Sequence, residues 1–461
     1  MTSMLTRSVA EQATARLHLL LDDPHVFEHA DGVVVARGRI GDTEVLAFST
    51  DATVQGGALG EDSCRAIAAV TDQAVRERVP VVGIWHSGGA RLREGVSGLH
   101  AVGQVFAAQV RASGQVPQIS VVLGPAAGGA AYGPALTDVI VMGPQGRVLV
   151  TGPDVVRTVT GQDVDAERLG GPETHARSGV VHIGADTDAE ALQRARLLVD
   201  LLGRQGEVDV RRTDGPDPGA LVPSEHRLAY DVRPVVRAVV DPGTFLEVQE
   251  GWARNVVTGL ARLAGRTVGV VANNPIRMAG CLDASSGDKA GRFVQWCDGN
   301  GVPLVFLVDV PGYLPGVGQE DAGVVRRGAK LLHAYAACVV PRLTVVLRKS
   351  FGGAFIAMGS KGLGADAVFA WPGAQVDVMG ASAAVEVLHR RELAAEPDPV
   401  RRAELVLRLS AAHEATTGGL GRALGSGVVD EILAPEQTRA RLVTALAALP
   451  DTRGRHRNPP L

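Results

Sequence analysis

Aromatic residues are scarce in this chain, only 4% of 461 residues, and no basic stripe is interleaved with them. With a formal net charge of −4, that excludes a nucleic-acid groove or stacking platform. Cysteine is equally sparse. Cys64, Cys281, Cys297 and Cys338 are scattered without a CxxC pair, which rules out a disulfide scaffold and a zinc ribbon and leaves core thiols in a reducing compartment. The long uncharged run from Val116 to Leu136 carries seven glycines and prolines, which punctuate a strand, a loop and a helix. It therefore does not read as a membrane span. No signal peptide is expected, because Ser8 to Asp23 reads as an amphipathic helix. Neither half contains a GxSxG elbow, a P-loop, an HExxH helix, or a GxGxxG turn followed by an acid at the right distance.

What the chain does contain, it contains twice. Arg39-Ile40 answers Arg262-Leu263, Gly57 answers Gly280, and Val79-Pro80 answers Val302-Pro303, each at an offset of 223. Gly128-Gly129-Ala130 matches Gly352-Gly353-Ala354 at 224, while Asp138, Pro144 and Gly152 match Asp366, Pro372 and Gly380 at 228. Ser178-Gly179-Val180-Val181 matches Ser426-Gly427-Val428-Val429 at 248. Collinear anchors in one order indicate an internal duplication, and 461 residues suffice for two cores. Arg204 to Arg227, rich in Asp, Pro and Gly, is the expected linker. Arg390 to Gly419 reads as a helical insertion of the second copy, interrupted at Glu396-Pro397-Asp398-Pro399.

Each copy alternates short β-branched runs with longer helical periods, which predicts layered α/β units. Pro80 to Trp85, Gln118 to Gly124, Pro303 to Val310 and Arg342 to Arg348 are predicted strands. Glu94 to Ser113 and Val324 to Cys338 are predicted helices, and further helices are predicted to open at Ala130 and Ala354. At Ala127-Gly128-Gly129-Ala130 and Phe351-Gly352-Gly353-Ala354 the chain leaves a strand and opens a helix. Unpaired N–H groups there, with the helix dipole behind them, make an oxyanion hole. A single such turn is ordinarily a packing device; two in matching context point to chemistry. His86 abuts the first glycine turn but reads as structural, its counterpart being Asp309. Arg91 and Glu94 read as solvated or paired across a subunit contact, and Lys289, opposite Ala66, as a surface lysine.

Two oxyanion holes without a side-chain base suit a reaction in which both partners carry a carbonyl and one brings its own base. The residues Ser87-Gly88-Gly89-Ala90-Arg91 with Glu94-Gly95-Val96, Pro117-Gln118-Ile119-Ser120, Gly128-Gly129-Ala130 and Pro134 to Asp138 resemble the β subunit of biotin-dependent acyl-CoA carboxylases. So do Asp309 to Gly316, Arg326-Arg327-Gly328-Ala329-Lys330, Gly352-Gly353-Ala354 and Arg453 to Asn458. The resemblance runs from about Ala36 to Leu461 and is nearest to the short actinobacterial type that carboxylates small acyl-CoAs.

That resemblance implies a fold and an activity. The fold is α/β, two tandem crotonase-like (spiral ββα) domains, at residues 1–210 for the acyl-CoA side and 228–461 for the biotin side. The implied reaction moves a carboxyl group from N1-carboxybiotin to the α-carbon of acetyl-CoA or propionyl-CoA. The site lies where the first copy meets the second copy of a neighbouring subunit. Gly128 and Gly129 would donate to the thioester oxygen, and Gly353 and Ala354 to the ureido oxygen of biotin. Gly88, Gly89, Ala90, Arg91, Ala130, Tyr132, Ile356, Gly312 and Tyr313 would bind substrate, and no metal is implied. Biotin would arrive on a separate carrier, from an α subunit with biotin carboxylase and carrier functions, optionally with a small ε subunit. The implied assembly is a cytoplasmic homohexamer with no nucleic-acid or membrane partner. Many relatives carry Asp at the position of His86 and a serine at Gly133. Relatives devoted to propionyl-CoA carry Asp at the position of Ile356. A decarboxylase of the same fold, a crotonase-type hydratase and a non-catalytic scaffold are the alternatives; the hydratase would need a carboxylate pair beside the thioester hole.

Overall fold

A computed structural model describes residues 12–416 and 419–458. Two sheets of eight strands each form the frame. The first contains β1 (His25–Ala30), β2 (Val33–Ile40), β3 (Thr43–Thr50), β4 (Val81–Ser87), β5 (Gln118–Ala127), β6 (Val139–Met142), β7 (Arg147–Leu149) and β8 (Ile183–Gly184), in the order β1-β2-β3-β4-β5-β6-β8 with β7 beside β5. The second contains β9 (Leu246–Val248), β10 (Val256–Leu263), β11 (Arg266–Asn273), β12 (Leu304–Val310), β13 (Arg342–Phe351), β14 (Ala367–Ala370), β15 (Gln375–Asp377) and β16 (Glu431–Ile432), in the mirrored order with β15 beside β13.

The duplication reaches individual strands. β2, β3 and β4 precede β10, β11 and β12 by 223 residues, and β5 precedes β13 by 224. β6 and β7 precede β14 and β15 by 228, and β8 precedes β16 by 248. In both sheets a tight antiparallel hairpin, β2–β3 or β10–β11, feeds parallel strands. Parallel strands need crossovers, and helices cover them: α1 (Glu61–Glu77), α2 (Gly95–Ala112), α3 (Gly129–Ala135) and α4 (Asp188–Gly203) in the first repeat. α5 (Ala284–Asn300), α6 (Val324–Ala337), α7 (Gly352–Ala357), α8 (Arg390–Ala395) and α9 (Pro399–Thr416) follow in the second. α8 and α9 are the predicted insertion, broken between Ala395 and Pro399. The predicted N-terminal helix is seen over residues 12–20; residues 8–11 lie outside the described residues.

One core runs through both repeats. Val82, Ile84 and Val121 of the first sheet join Leu198 of α4 and Leu260, Phe293 and Phe306 of the second repeat in a single buried cluster. Continuous Val/Ile/Leu runs in the central strands match burial on both faces. The C-terminal segment fastens the repeats together. Arg453 donates to the carbonyls of Gly299, Gly114 and Gln115, and the Asn458 amide donates to Asp138 at 3.0 Å. Among the described residues no helix is long and apolar enough to cross a membrane, and no group of three or more His, Cys, Asp or Glu could hold a metal ion.

Two expectations are overturned by burial. Lys289 is not a surface lysine: it is fully buried on α5, and its Nζ donates to the carbonyls of Gln249, Trp252 and Val256 at 3.0, 2.9 and 2.7 Å. Three acceptors around three N–H donors satisfy a buried ammonium, although burial pushes its pKa down to about 7. Arg91 is neither solvated nor waiting for another subunit. Its side chain is buried, donates to the carbonyl of Ala58 at 3.0 Å, and pairs with Asp31 and Glu94 of the same chain.

Candidate active site

Each glycine turn follows from a strand that is held further than its sequence suggests. β5 was expected to stop at Gly124 but continues to Ala127, because β7 pairs with its end, Ala127 opposite Leu149. β15 extends β13 to Phe351 in the same way. The chain must then turn sharply into a short helix. Gly128 and Gly352 both take φ of +58°, a conformation that costs a side-chain-bearing residue energy and glycine little.

The first turn places the expected donors differently. The N–H of Gly128 is engaged, donating to the carbonyl of Leu149 at 2.9 Å. The first N–H groups of α3 that lack a carbonyl of their own helix belong to Gly129 and Ala130. At the offset of 224 these align with Gly353 and Ala354, the second and third residues of α7. Both turns thus offer two adjacent N–H groups directly after a glycine at φ +58°.

A second loop supports each turn. Gly89 (φ +109°) accepts the N–H of Leu59 at 2.8 Å, and Arg91 N–H donates to the Leu59 carbonyl at 2.9 Å. In the second repeat Gly312 (φ +146°) accepts from Leu282 at 3.0 Å, and Leu314 donates back to Leu282 at 2.7 Å. Gly88 donates to the Gly56 carbonyl at 3.0 Å. A Cβ at Gly89 would lie 2.9 Å from the Ala127 carbonyl oxygen, so the loop containing Ala90 sits directly against the first turn. The two loops are the expected substrate segments, brought beside their turns by these bridges. Arg91, under its loop, acts as a strut.

The walls differ. In the first repeat Tyr132 is half exposed and meets Phe106 edge-on at 6.4 Å. In the second, the Tyr313 ring packs alongside Gly353, 3.8 Å from where a Cβ would be. Ile356, 45% exposed, lines a cleft of about 500 Å³ with Gly352, Gly353, Phe355, Val376 and Val378. The expected residues therefore gather as two clusters, one per repeat: Gly88, Gly89, Ala90, Arg91, Gly128, Gly129, Ala130 and Tyr132, and Gly312, Tyr313, Gly353, Ala354 and Ile356.

Side-chain acid–base groups are scarce beside the first turn. His86 Nδ1 is buried without a hydrogen-bond partner, and burial lowers the imidazole pKa. Asp31 and Glu94 are the carboxylates near the loop; both pair with Arg91, and Glu94 also accepts the Glu61 N–H at 2.7 Å. A free carboxylate pair of the kind a hydratase needs is missing from this neighbourhood. One buried pair escaped the sequence reading: Asp309 and Arg348, joined at 2.7 Å beside the second turn. The signal available was their offset partners, His86 and Gly124.

A family model described as the carboxyl transferase domain matches residues 20–459. The chain belongs to the carboxyl transferase family. It is 56% identical to the biotin-dependent acetyl-/propionyl-coenzyme A carboxylase beta6 subunit of Mycobacterium tuberculosis over 100% of both chains. It is 55% identical to the propionyl-CoA carboxylase beta chain of Rhodococcus erythropolis, over 97% of this chain and 96% of that one. Among solved structures it resembles transcarboxylase 12S, a hexamer with methylmalonyl-coenzyme A and methylmalonic acid bound, with a TM-score of 0.90 and 41% identity over 98% of this chain and 93% of that one. The tandem crotonase-like α/β fold is thereby established, and this carboxyltransferase is an enzyme rather than a scaffold.

Proposed function

We propose that this chain is the carboxyltransferase β subunit of a biotin-dependent acetyl-/propionyl-CoA carboxylase, making malonyl-CoA and methylmalonyl-CoA. The reading rests above all on the paired turns: two repeats, each with a glycine at φ +58° followed by two N–H groups that its helix leaves free. Residues 1–210 would hold the acyl-CoA and residues 228–461 the biotin. The working site would form between the first repeat of one subunit and the second repeat of a neighbour in a homohexamer.

In this mechanism Gly129 and Ala130 bind the thioester oxygen and stabilise the charge it gains as the α-carbon loses its proton. Gly353 and Ala354 would hold the ureido oxygen of biotin. The carboxylated biotin, when bound, supplies both the carboxyl group and, through its ring nitrogen, the base. The second cleft suits such a group: its lining is mostly apolar, with Phe355, Ile356, Val376 and Val378 beside the polar Asp377, Arg422 and Ser426, and Gly353 of the turn stands in it. Donors fixed by the backbone need no reorganisation during reaction, which makes electrostatic stabilisation the main catalytic contribution. Positioning both carbonyls supplies the rest.

The partner would be an α subunit carrying biotin carboxylase and biotin carrier functions, with a small ε subunit as an accessory, in the cytoplasm and in the service of fatty acid biosynthesis. The test is direct. The chain is mixed with a carboxylated biotin carrier and either thioester, and malonyl-CoA and methylmalonyl-CoA are quantified. Formation of neither product, with the carrier demonstrably carboxylated, overturns the proposal.

A further inference from the structure

The two repeats share an irregularity that they fill differently. Between Trp85/Val122 and Ser87/Ala126, and again between Val308/Val346 and Val310/Ser350, the register of the paired central strands shifts. The residue at each shift is His86 or Asp309. In the first repeat the His86 N–H donates to Thr50 Oγ1 at 2.7 Å, and the ring lies over Gly124. In the second, the Asp309 N–H donates to Asn273 Oδ1 at 3.3 Å, and the carboxylate bridges to the next strand. Asp309 Oδ2 accepts from Arg348 Nε at 2.7 Å, and Oδ1 from the Lys349 N–H at 3.2 Å.

The pair does not stop at the sheet. Arg348 Nη1 donates to the carbonyls of Pro223, Glu225 and Leu228, and the guanidinium lies 4.7 Å from the Tyr230 ring centroid. Lys349 Nζ donates to the His226 carbonyl at 2.6 Å. Both residues lie on β13, five and four residues before Gly353, and Asp309 lies three before Gly312. The linker that joins the repeats is therefore moored to the strands leading into both loops of the second site. Gly124, the first-repeat counterpart of Arg348, has no side chain to make an equivalent connection.

We infer that the buried Asp309–Arg348 pair, moored to residues 223–228, is a positioning device for the Gly353–Ala354 N–H groups and has no equivalent in the first repeat. Its logic is that a guanidinium held by one carboxylate and three carbonyls fixes the strand in direction as well as depth. A turn that must present two N–H groups to one oxygen tolerates little drift. The inference rests on the reading of that turn as the biotin-side donor pair.

The full-length enzyme and carboxylated biotin carrier provide the test. Arg348→Lys keeps the charge but cannot reproduce the fork. It should lower kcat by about tenfold to a hundredfold while KM for acyl-CoA, set on the other repeat, stays within about twofold. Amide hydrogen exchange should rise in peptides covering residues 222–230 and 350–356 and stay unchanged over 127–135. Wild-type kcat with a loosened 222–230 segment would overturn the inference, as would exchange rising equally in both repeats. If Arg348→Lys does not fold, Lys349→Ala, which removes the bond to the His226 carbonyl and the ammonium's attraction to Asp309 while leaving Arg348 in place, is read by the same exchange pattern. Gly353→Val separates the premise from the inference. If Gly353→Val is inactive while Arg348→Lys turns over normally, only the inference fails; if Gly353→Val is active, both do.

Discussion

The imidazole of His86 lies over Gly124: a Cβ added at that glycine would fall 2.4 Å from Nδ1 and 2.5 Å from Cγ. The ring fills the room that a side chain at position 124 would occupy, and its buried Nδ1 has no hydrogen-bond partner. The two residues therefore specify each other through volume. Gly124→Ala should destabilise the fold by about 1–3 kcal/mol through overpacking. His86→Ala should cost packing but little turnover, and the double variant should recover much of the loss. Urea denaturation of the four proteins measures the coupling, and additive effects would deny the contact. A thousandfold fall in kcat for a well-folded His86→Ala would instead make the histidine a catalytic base.

Gly353→Val should abolish turnover. Alanine would touch the Tyr313 ring at an ordinary 3.8 Å, whereas the branched valine must displace that ring or the turn. Loss of a single oxyanion donor costs about 10²- to 10³-fold in rate, and a tilted turn should cost at least that. Steady-state carboxyl transfer with circular dichroism as a fold control decides the matter. A folded variant keeping more than about a tenth of the wild-type rate would remove this turn from the mechanism.

Acid should loosen the junction between the repeats through His182. Its Nδ1 accepts the Ile140 N–H at 3.0 Å, and its carbonyl accepts the Gln249 N–H from the second repeat at 2.7 Å. An accepting Nδ1 requires the neutral ring, and burial accordingly lowers the pKa to about 3. The unfolded chain, with an ordinary histidine near 6.5, binds more protons than the native one between these values. This contribution is complete above about pH 6.5, falls by up to about 1.4 kcal/mol for each pH unit below it, and levels off near pH 3. Chemical denaturation across that range should show a shallower acid slope for His182→Gln than for the wild type. Equal slopes would mean that the imidazole is already charged in the native state.

Lys289→Met should destabilise the protein by roughly 2–4 kcal/mol, because three buried carbonyls lose their donor together. The carbonyls of Gln249 and Trp252 belong to a turn, leading to Val256 at the start of β10, that holds Gln249 and Ala253 at positive φ, of +57° and +42°, so local opening should accompany the loss. Amide exchange over residues 249–256 reports it. A variant as stable as the wild type would show that the turn holds its shape without the lysine.

Lys289 also marks the boundary of what the sequence reveals. Its acceptors lie 33 to 40 residues away along the chain, and no local pattern distinguishes a lysine that caps such a turn from one in water. Arg91 misled for the same reason, since its partner Asp31 is 60 residues distant. The partner of the Gly128 N–H is hidden differently: it lies in β7, a strand of three residues too short to announce itself by periodicity. The duplication was legible, by contrast, because glycines at positive φ and β-branched strands are local demands that both copies must meet. Gly57 and Gly280, with φ of +73° and +81°, still show it.

Ile356 offers the sharpest probe of the acyl preference. It lies two residues beyond Ala354 in the cleft proposed for biotin and is 45% exposed, so in the proposed subunit junction its side chain would face the acyl group held by the neighbour's first repeat. The aliphatic side chain of Ile356 itself presents no charge to desolvate, so acetyl and propionyl thioesters should both be accepted. Each buried methylene gains only about 0.8 kcal/mol, so this wall should discriminate by roughly tenfold or less. Ile356→Asp introduces a carboxylate that must stay hydrated or find a donor, which reshapes the pocket and should shift the propionyl to acetyl ratio of kcat/KM. Competition between the two thioesters, with both products quantified in one reaction, measures that ratio free of differences in active fraction. A ratio that stays within about twofold in a folded variant would place Ile356 outside the acyl pocket.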